Sequence, residues 1–190
     1  VKHGVAGVRG LTTHAVLPPA VVFTNCGTGC TSHDTYDAYF VSGTSAQESP
    51  GQTLAIGFSS TKTTKFTYAL TPNSNYTGVK GGKIAAYLLN GTAAGGPTTE
   101  VAALSYKGSI PDFTTIKVVK YTSRKEVTFK KGVEYFLCET DPAATTVILW
   151  MLSTGDFSSP LWYQDEGSCT KKGMTWLDDT GNNVMAAEIN

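Results

Sequence analysis

Of all the residues in the chain, its four cysteines have the type and spacing that most suggest a chemical site. They are Cys26, Cys30, Cys138 and Cys169. Their number is even and no Cys-x-x-Cys pair is among them, which favours two structural disulfides in an oxidising compartment over redox chemistry. We favour pairing Cys26 with Cys30 and Cys138 with Cys169, although four cysteines leave three connectivities open.

Metal binding is the alternative use of the first pair. Cys26-x3-Cys30-x2-His33 places three potential zinc ligands close together, but no second ligand pair follows at zinc-finger spacing. Loop carboxylates could instead supply oxygens to a structural calcium ion, although neither run matches the Asp-x-Asp-x-Asp-Gly loop. These carboxylates are Asp34 with Asp37, or Asp178 with Asp179. We expect no cofactor and keep structural calcium as an alternative.

Catalysis has little support in the residue types. His3 and His14 fall near the N terminus, which leaves His33 as a candidate base, and no Gly-x-Ser-x-Gly elbow occurs. A glycosidase needs two carboxylates at a separation that depends on the fold. Five carboxylates are available, and we expect them to be exposed, solvating groups: Glu139, Asp141, Asp156, Asp165 and Glu166. We therefore expect a protein that is not an enzyme.

Three aromatic residues near the C terminus offer a different binding chemistry. Trp162, Tyr163 and Trp176 are flanked by polar residues, and exposed aromatic rings can stack on sugars. Large aromatics also fill a sandwich core or a sheet corner, and we expect Trp150, within the apolar run 147–152, to lie in the core. A secreted carbohydrate-binding module is the alternative function that these rings suggest.

Two tripeptides fit the glycosylation sequon, beginning at Asn75 and Asn90. We expect both to lie in surface turns.

The composition narrows the class of protein. The 190 residues can form one domain with a full core, and the charged fraction of 16% lies below the roughly 25% of an average soluble protein. The formal net charge is zero, so no basic excess favours nucleic acid or an anionic membrane surface. No apolar run approaches the roughly 20 residues of a membrane helix. We expect a secreted or cell-surface protein that has no membrane span.

About a dozen short strand signals separated by turn residues predict an all-β fold. They lie at residues 20–24, 36–42, 53–59, 66–70, 83–90, 99–106, 116–121, 126–129, 133–140, 146–152, 161–164, 174–177 and 184–189. No segment keeps a period of 3.6 residues over three turns. The predicted architecture is a jelly-roll-like antiparallel β-sandwich with an extended N-terminal arm.

Residues 1–19 are the predicted arm, ahead of a single domain at residues 20–190. Val5, Val8 and Leu11 are interspersed with glycines, and Pro18-Pro19 stops any helix. The arm is either a disordered or surface-packed terminus, or an extended strand that pairs with the exposed sheet edge of another copy.

Several spaced stretches carry a resemblance to a known family. They are Val21–Asn25, Tyr39–Gly43, Gln52–Phe58, Gly132–Leu137, Trp150 with Ser153–Asp156, and Trp176. Their order, over about residues 20–190, resembles the exported bacterial β-sandwich proteins of the choice-of-anchor type, many of which carry a PEP-CTERM sorting segment. The resemblance implies a secreted jelly-roll-like sandwich without catalytic residues. No Pro-Glu-Pro motif closes the chain, so we expect release or retention by protein contacts.

The leading hypothesis is therefore a non-enzymatic extracellular structural protein. Its subunits would self-associate when the arm adds a strand to a neighbour's sheet edge, with Val5, Val8 and Leu11 as the inserted apolar residues. Head-to-tail exchange of this kind gives a homo-oligomer if it closes and a filament if it does not. A polysaccharide is the partner under the alternative hypothesis.

Overall fold

A computed structural model describes residues 20–76, 82–112, 114–154 and 158–190. Regular structure in these residues is almost entirely β-strand, with one short 3-10 turn at Thr28–Cys30. Twelve of the described strands form one antiparallel system, which is made of two large sheets, and two further strands form a separate small sheet. This arrangement confirms the all-β sandwich predicted from the sequence. The predicted arm, including Val5, Val8 and Leu11, lies outside the described residues.

Fourteen strands follow one another along the described chain. They are β1 (Phe23–Thr24), β2 (His33–Ser42), β3 (Thr53–Ser59), β4 (Thr64–Lys65), β5 (Ala69–Asn75), β6 (Ala85–Thr92), β7 (Gly96–Ser105), β8 (Lys117–Ser123), β9 (Thr128–Phe129), β10 (Glu134–Thr140), β11 (Val147–Ser153), β12 (Leu161–Gln164), β13 (Leu177–Asp178) and β14 (Glu188–Ile189). Strands β3, β10 and β11 are buried on both faces, which explains why they are mainly apolar. No helix among the described residues is long and apolar enough to cross a membrane.

The first large sheet has β2 and β8 at opposite edges. β2 pairs with β11, and β11 pairs with one end of β5. The other side of β5 pairs with β8. β14 pairs with the remaining end of β5 and, on its other side, with β1.

The second large sheet has β7 and β13 at opposite edges, in the order β7-β6-β10-β3-β12-β13. It joins the first sheet where Leu104–Ser105 of β7 pairs with Thr122–Ser123 of β8. Across the sandwich, the Tyr39 hydroxyl of β2 donates a hydrogen bond of 3.0 Å to the Asp179 carboxylate, directly after β13. We call these two opposite borders the β7/β8 side and the β2/β13 side.

A cluster of buried side chains from both sheets fills the space between them. Trp150 is fully buried there, as the sequence predicts, and its indole Nε1 donates to the Ala186 carbonyl at 2.8 Å. Phe129 connects the small β4–β9 sheet to this core, because its ring centroid lies 5.4 Å from that of Phe58 and 4.8 Å from that of Tyr135. Aromatic pairs at such distances stabilise a core beyond their burial alone.

Candidate functional site

Both sides of the sandwich have sheet edges without a neighbouring strand in the described part of the chain. The ten-residue strand β2 pairs with β11 alone. On the opposite side, β7 and β8 meet only at Leu104–Ser105 and Thr122–Ser123, so the rest of each facing edge is open. An open edge presents backbone N–H and C=O groups that can pair with another strand.

The outer half of β2 bulges away from β11. The register shifts beyond Met151, which leaves residues 34–37 out of the regular ladder. The Asp34 carboxylate accepts hydrogen bonds from the N–H groups of Tyr36 at 2.7 Å and Asp37 at 3.0 Å. These bonds hold the pKa of Asp34 below its usual range. Tyr36 is 93% exposed at this bulge, so the edge combines the ionised carboxylate of Asp34 with an exposed aromatic ring.

Two further carboxylates lie at the same side of the sandwich. Burial and the neighbouring Asp179 raise the pKa of Tyr39 to about 12, which keeps the phenol protonated as a donor to that carboxylate. The Thr180 hydroxyl and N–H lower the pKa of Asp178, with the N–H donating at 2.8 Å. Asp178 is therefore ionised at neutral pH, and the β2/β13 side is acidic.

Cationic side chains line two clefts beside the junction of β7 and β8. One cleft of about 420 Å³ is lined by Lys107, Lys117 and Lys120. The other, of about 360 Å³, is lined by Arg124 and Lys125. The β7/β8 side is therefore basic.

The structure contains the two disulfides that the sequence analysis favours, and each covers the outer face of one large sheet. Cys26–Cys30 packs with Ala186 against Leu70 and Val118 on the first sheet. This bond leaves no cysteine thiolate for zinc, so the zinc alternative with His33 was wrong.

The second disulfide ties Cys138 of β10 to Cys169 in the segment that crosses the second sheet. Both cysteines are buried in an outer-face cluster with Phe136 and Trp162, and Trp176 packs against it. The bond therefore pins a loop segment over a sheet face that would otherwise be exposed and apolar.

No group of three His, Cys, Asp or Glu side chains is arranged to hold a metal ion in the described ranges. Three of the carboxylates weighed for calcium accept hydrogen bonds from protein groups: Asp34 from backbone N–H groups, Asp178 from the Thr180 N–H and Asp179 from the Tyr39 hydroxyl. His33 Nδ1 lies 2.8 Å from the Cys30 carbonyl oxygen.

The three aromatics considered for sugar binding do not form one platform. Trp162 is 6% exposed and belongs to the outer-face cluster, whereas its neighbour Tyr163 packs against the main core on the opposite face of β12. Trp176 is half-buried and borders an open cleft of about 670 Å³, between residues 95–100 and 170–174. Of the three rings, Trp176 alone lines this cleft.

The asparagines that begin the two sequons lie in strands, so the expectation of surface turns was wrong. Asn75 is fully buried at the end of β5, where its side-chain nitrogen donates to the Ile110 carbonyl at 3.0 Å. A glycan on this nitrogen is incompatible with that packing. Asn90 is half-buried in β6, which continues through Gly91 with shifts of register against β7.

Glu139 was predicted to be exposed, and the prediction was wrong because its strand is covered on both faces. The side chain is fully buried between the sheets, with Oε1 2.8 Å from Thr71 Oγ1. When the Asn73 amide is oriented to satisfy its neighbours, its nitrogen donates to Glu139 Oε2 at 3.1 Å and to the Leu149 carbonyl at 3.2 Å, and its oxygen accepts from Thr71 at 2.6 Å.

This hydrogen-bond pattern favours a protonated Glu139. The Thr71 proton is engaged by Asn73, so the contact between Thr71 Oγ1 and Glu139 Oε1 needs a proton from the carboxyl group. Burial raises the pKa of Glu139 to about 7, although the polar side chains of Thr71, Tyr121 and Asn73 around it oppose the shift. The sequence contained no signal for this network, because its members come from strands far apart in the chain.

Asp141 was also predicted to be exposed and is buried. Its carboxylate accepts from the Thr146 hydroxyl at 2.5 Å and from the Ala143 N–H at 2.8 Å, which shapes the turn between β10 and β11. Burial raises the pKa of Asp141. Asp165 and Glu166 are exposed as expected, and Asp156 lies outside the described residues.

Comparison with known proteins returned no matching family model, curated protein or solved structure. The resemblance to the choice-of-anchor proteins therefore stays a prediction.

Proposed function

We propose that the chain is a secreted, non-enzymatic structural protein whose copies associate by strand addition through the N-terminal arm. The observation that supports this most directly is the open edge of β2, a ten-residue strand that pairs with β11 alone within the described chain. A strand added there would gain main-chain hydrogen bonds and extend a sheet whose inner face is already packed.

The arm has a composition suited to the added strand. Val5, Val8 and Leu11 supply apolar side chains, and the intervening glycines allow close backbone approach. Their spacing of three does not match the period of two in a strand, so at most two of them would face the neighbour's core at once. Transfer of the arm from each copy to the next gives an oligomer or a filament.

Secretion is supported by two features of the chain. Both disulfides are of the kind that persists in an oxidising compartment. The low charged fraction, 16% of residues, is typical of exported β proteins that rely on Thr, Ser and Asn at the surface.

Deleting residues 1–17 is expected to convert the assembled protein to monomers, because the donated strand is lost. Static light scattering at matched concentration measures the change, and circular dichroism checks that the sandwich remains folded. A second variant, Val5→Asn with Val8→Asn and Leu11→Asn, keeps the arm length and removes its apolar side chains. An unchanged particle mass after the deletion would contradict the proposal.

A second candidate function rests on the cleft beside Trp176. Its lining combines this ring with Thr98, Thr99 and Glu100 of the β7 edge and with Lys172 of the pinned segment. Ring stacking with hydroxyl, carboxylate and ammonium groups around it can bind a polysaccharide.

Trp176→Ala is expected to weaken polysaccharide binding by at least tenfold if this cleft binds sugar. Isothermal titration calorimetry with soluble glucans, mannans and polyuronates measures the effect, because the variant lacks the ring whose fluorescence would report binding. Trp162→Phe is the matched control, because that ring is buried in the cluster below and should leave affinity within a factor of two. The candidate fails if no glycan in the panel binds the unmodified protein.

A further inference from the structure

Charge is segregated along a chain whose formal net charge is zero. Residues 62–131 contain eleven Lys or Arg and three Asp or Glu, whereas residues 132–190 contain two and nine. Zero net charge removes long-range repulsion between copies, and the segregation leaves local fields of opposite sign.

The fold converts this segregation into two oppositely charged borders. The β7/β8 side carries Lys107, Lys117, Lys120, Arg124 and Lys125 around its open edges. On the β2/β13 side, strand β2 contributes Asp34 and Asp37, and β13 with the residue after it contributes Asp178 and Asp179. In the described residues, the ion pairs are Lys65–Glu126 and Lys171–Glu166. Neither side therefore neutralises its own charge by an ion pair.

A few groups of the other sign accompany each side. Glu100 lines the same cleft as Arg124 and Lys125, and His33 lies at the start of β2 beside Asp34. Each side nevertheless keeps a clear majority of one charge.

The two sides are too far apart to neutralise each other within one molecule. The second sheet has six strands from β7 to β13, and five spacings of about 4.8 Å between them give a width of about 24 Å. The Debye length at physiological ionic strength is about 8 Å. Each side therefore acts as an independent charged surface, whereas side chains brought together by contact between copies would interact strongly.

We propose that the acidic β2/β13 side of one copy docks on the basic β7/β8 side of a second copy. The inference rests on the proposed self-association and adds its direction. The neighbour's arm occupies the open edge of β2 in the proposed association, so the docking adds charge attraction between the side chains of the two sides and not a direct pairing of β2 with β7 or β8.

The charges also select against other arrangements. Charged residues on edge strands are a common means of preventing edge-to-edge aggregation. Here they repel an identical edge, acidic against acidic or basic against basic, while attracting the opposite edge. A two-fold symmetric contact is disfavoured, and a head-to-tail contact that closes into a ring or propagates as a filament is favoured.

Two charge-reversal variants of the full chain test this direction. The basic-side variant is Lys107→Glu with Lys120→Glu, and the acidic-side variant is Asp37→Lys with Asp178→Lys. Lys62→Glu with Lys131→Glu is the matched control, because these exposed cations flank the small β4–β9 sheet and lie away from both sides. Circular dichroism establishes that each variant is folded.

We expect each single-side variant to raise the concentration needed for assembly at least tenfold, measured by light scattering at 0.15 M salt. An equimolar mixture of the two should assemble at the concentration of the unmodified chain, because every contact then joins opposite charges. The control should assemble at the same concentration as the unmodified protein. A salt concentration of 1 M should raise the concentration that both need for assembly, since the Debye length falls to about 3 Å.

Other outcomes separate the two proposals. Assembly of both single-side variants at the unmodified threshold would overturn the head-to-tail direction while leaving arm-mediated association in place. Folded variants whose mixture stays monomeric, or a control that loses assembly, would also overturn it. If the unmodified full chain stays monomeric at every concentration and salt tested, both the proposed function and this inference fail.

Discussion

Replacing Cys138 and Cys169 together by alanine is expected to lower the free energy of unfolding by between about 3 and 4 kcal/mol. The bond joins residues separated by 31 positions, and the chain-entropy model gives this amount for a loop of that length in the unfolded state. Both cysteines are buried against Phe136 and Trp162, so lost packing adds to the effect. The melting temperature should fall by roughly 10 °C in a domain of this size.

The double alanine variant at Cys26 and Cys30 is the matched control. Its bond closes a separation of four positions, for which the same model gives about 2 kcal/mol. Chemical denaturation followed by tryptophan fluorescence measures both losses. Equal losses in the two variants, or no loss on removing the longer bridge, would contradict loop length as the origin of the stability.

Stability is expected to fall as pH rises from about 4.5 to above 7, because Glu139 must lose its proton inside the core. The ordinary glutamate pKa of 4.5 applies to the unfolded chain, and burial raises the folded pKa to about 7. Below the lower value the carboxyl is protonated in both states and imposes no penalty. Between the two values the unfolded state ionises first and is favoured, and above the higher value the penalty is constant at about 3 kcal/mol.

Glu139→Gln is expected to remove this pH dependence. The amide reproduces the protonated carboxyl, since its nitrogen can donate to Thr71 and its oxygen can accept from Asn73. The variant should match the unmodified protein near pH 4 and exceed its stability at pH 8 by about 3 kcal/mol.

Glu126→Gln is the control for the titration experiment. This exposed carboxylate forms a surface ion pair with Lys65, which is worth at most about 1 kcal/mol. Urea unfolding at half-unit pH steps, expressed as the difference from the unmodified chain, isolates the contribution of each residue. A flat difference curve for Glu139→Gln would show that the buried carboxyl does not titrate in this range.

The sequence was sufficient for the features that depend on neighbouring residues. Strand content follows from apolar alternation and from turn residues, and the burial of Trp150 follows from the apolar run that contains it. The short spacing between Cys26 and Cys30 favours a local bridge, which leaves Cys138 and Cys169 as the second pair. Each of these inferences needs no knowledge of how distant strands pack.

Errors arose where a residue's environment depends on distant strands. Glu139 was expected to be exposed because carboxylates usually face water, and Asn75 was expected in a surface turn because it begins a sequon. Both are buried because a second layer covers the face on which they lie. Thr71, the nearest hydrogen-bond partner of Glu139, is 68 positions away in the chain, beyond the reach of any local pattern.

The candidate surfaces show the same division between sequence and tertiary structure. The sequence by itself determined an all-β protein with two disulfides, zero net charge and a distinct segment at residues 1–19. The order of strand pairing alone decided that β2 and β13 share one border and β7 and β8 the other. Pairing between distant strands thus decides which edges stay open and which charges gather beside them, because neither property is encoded in the spacing of neighbouring residues.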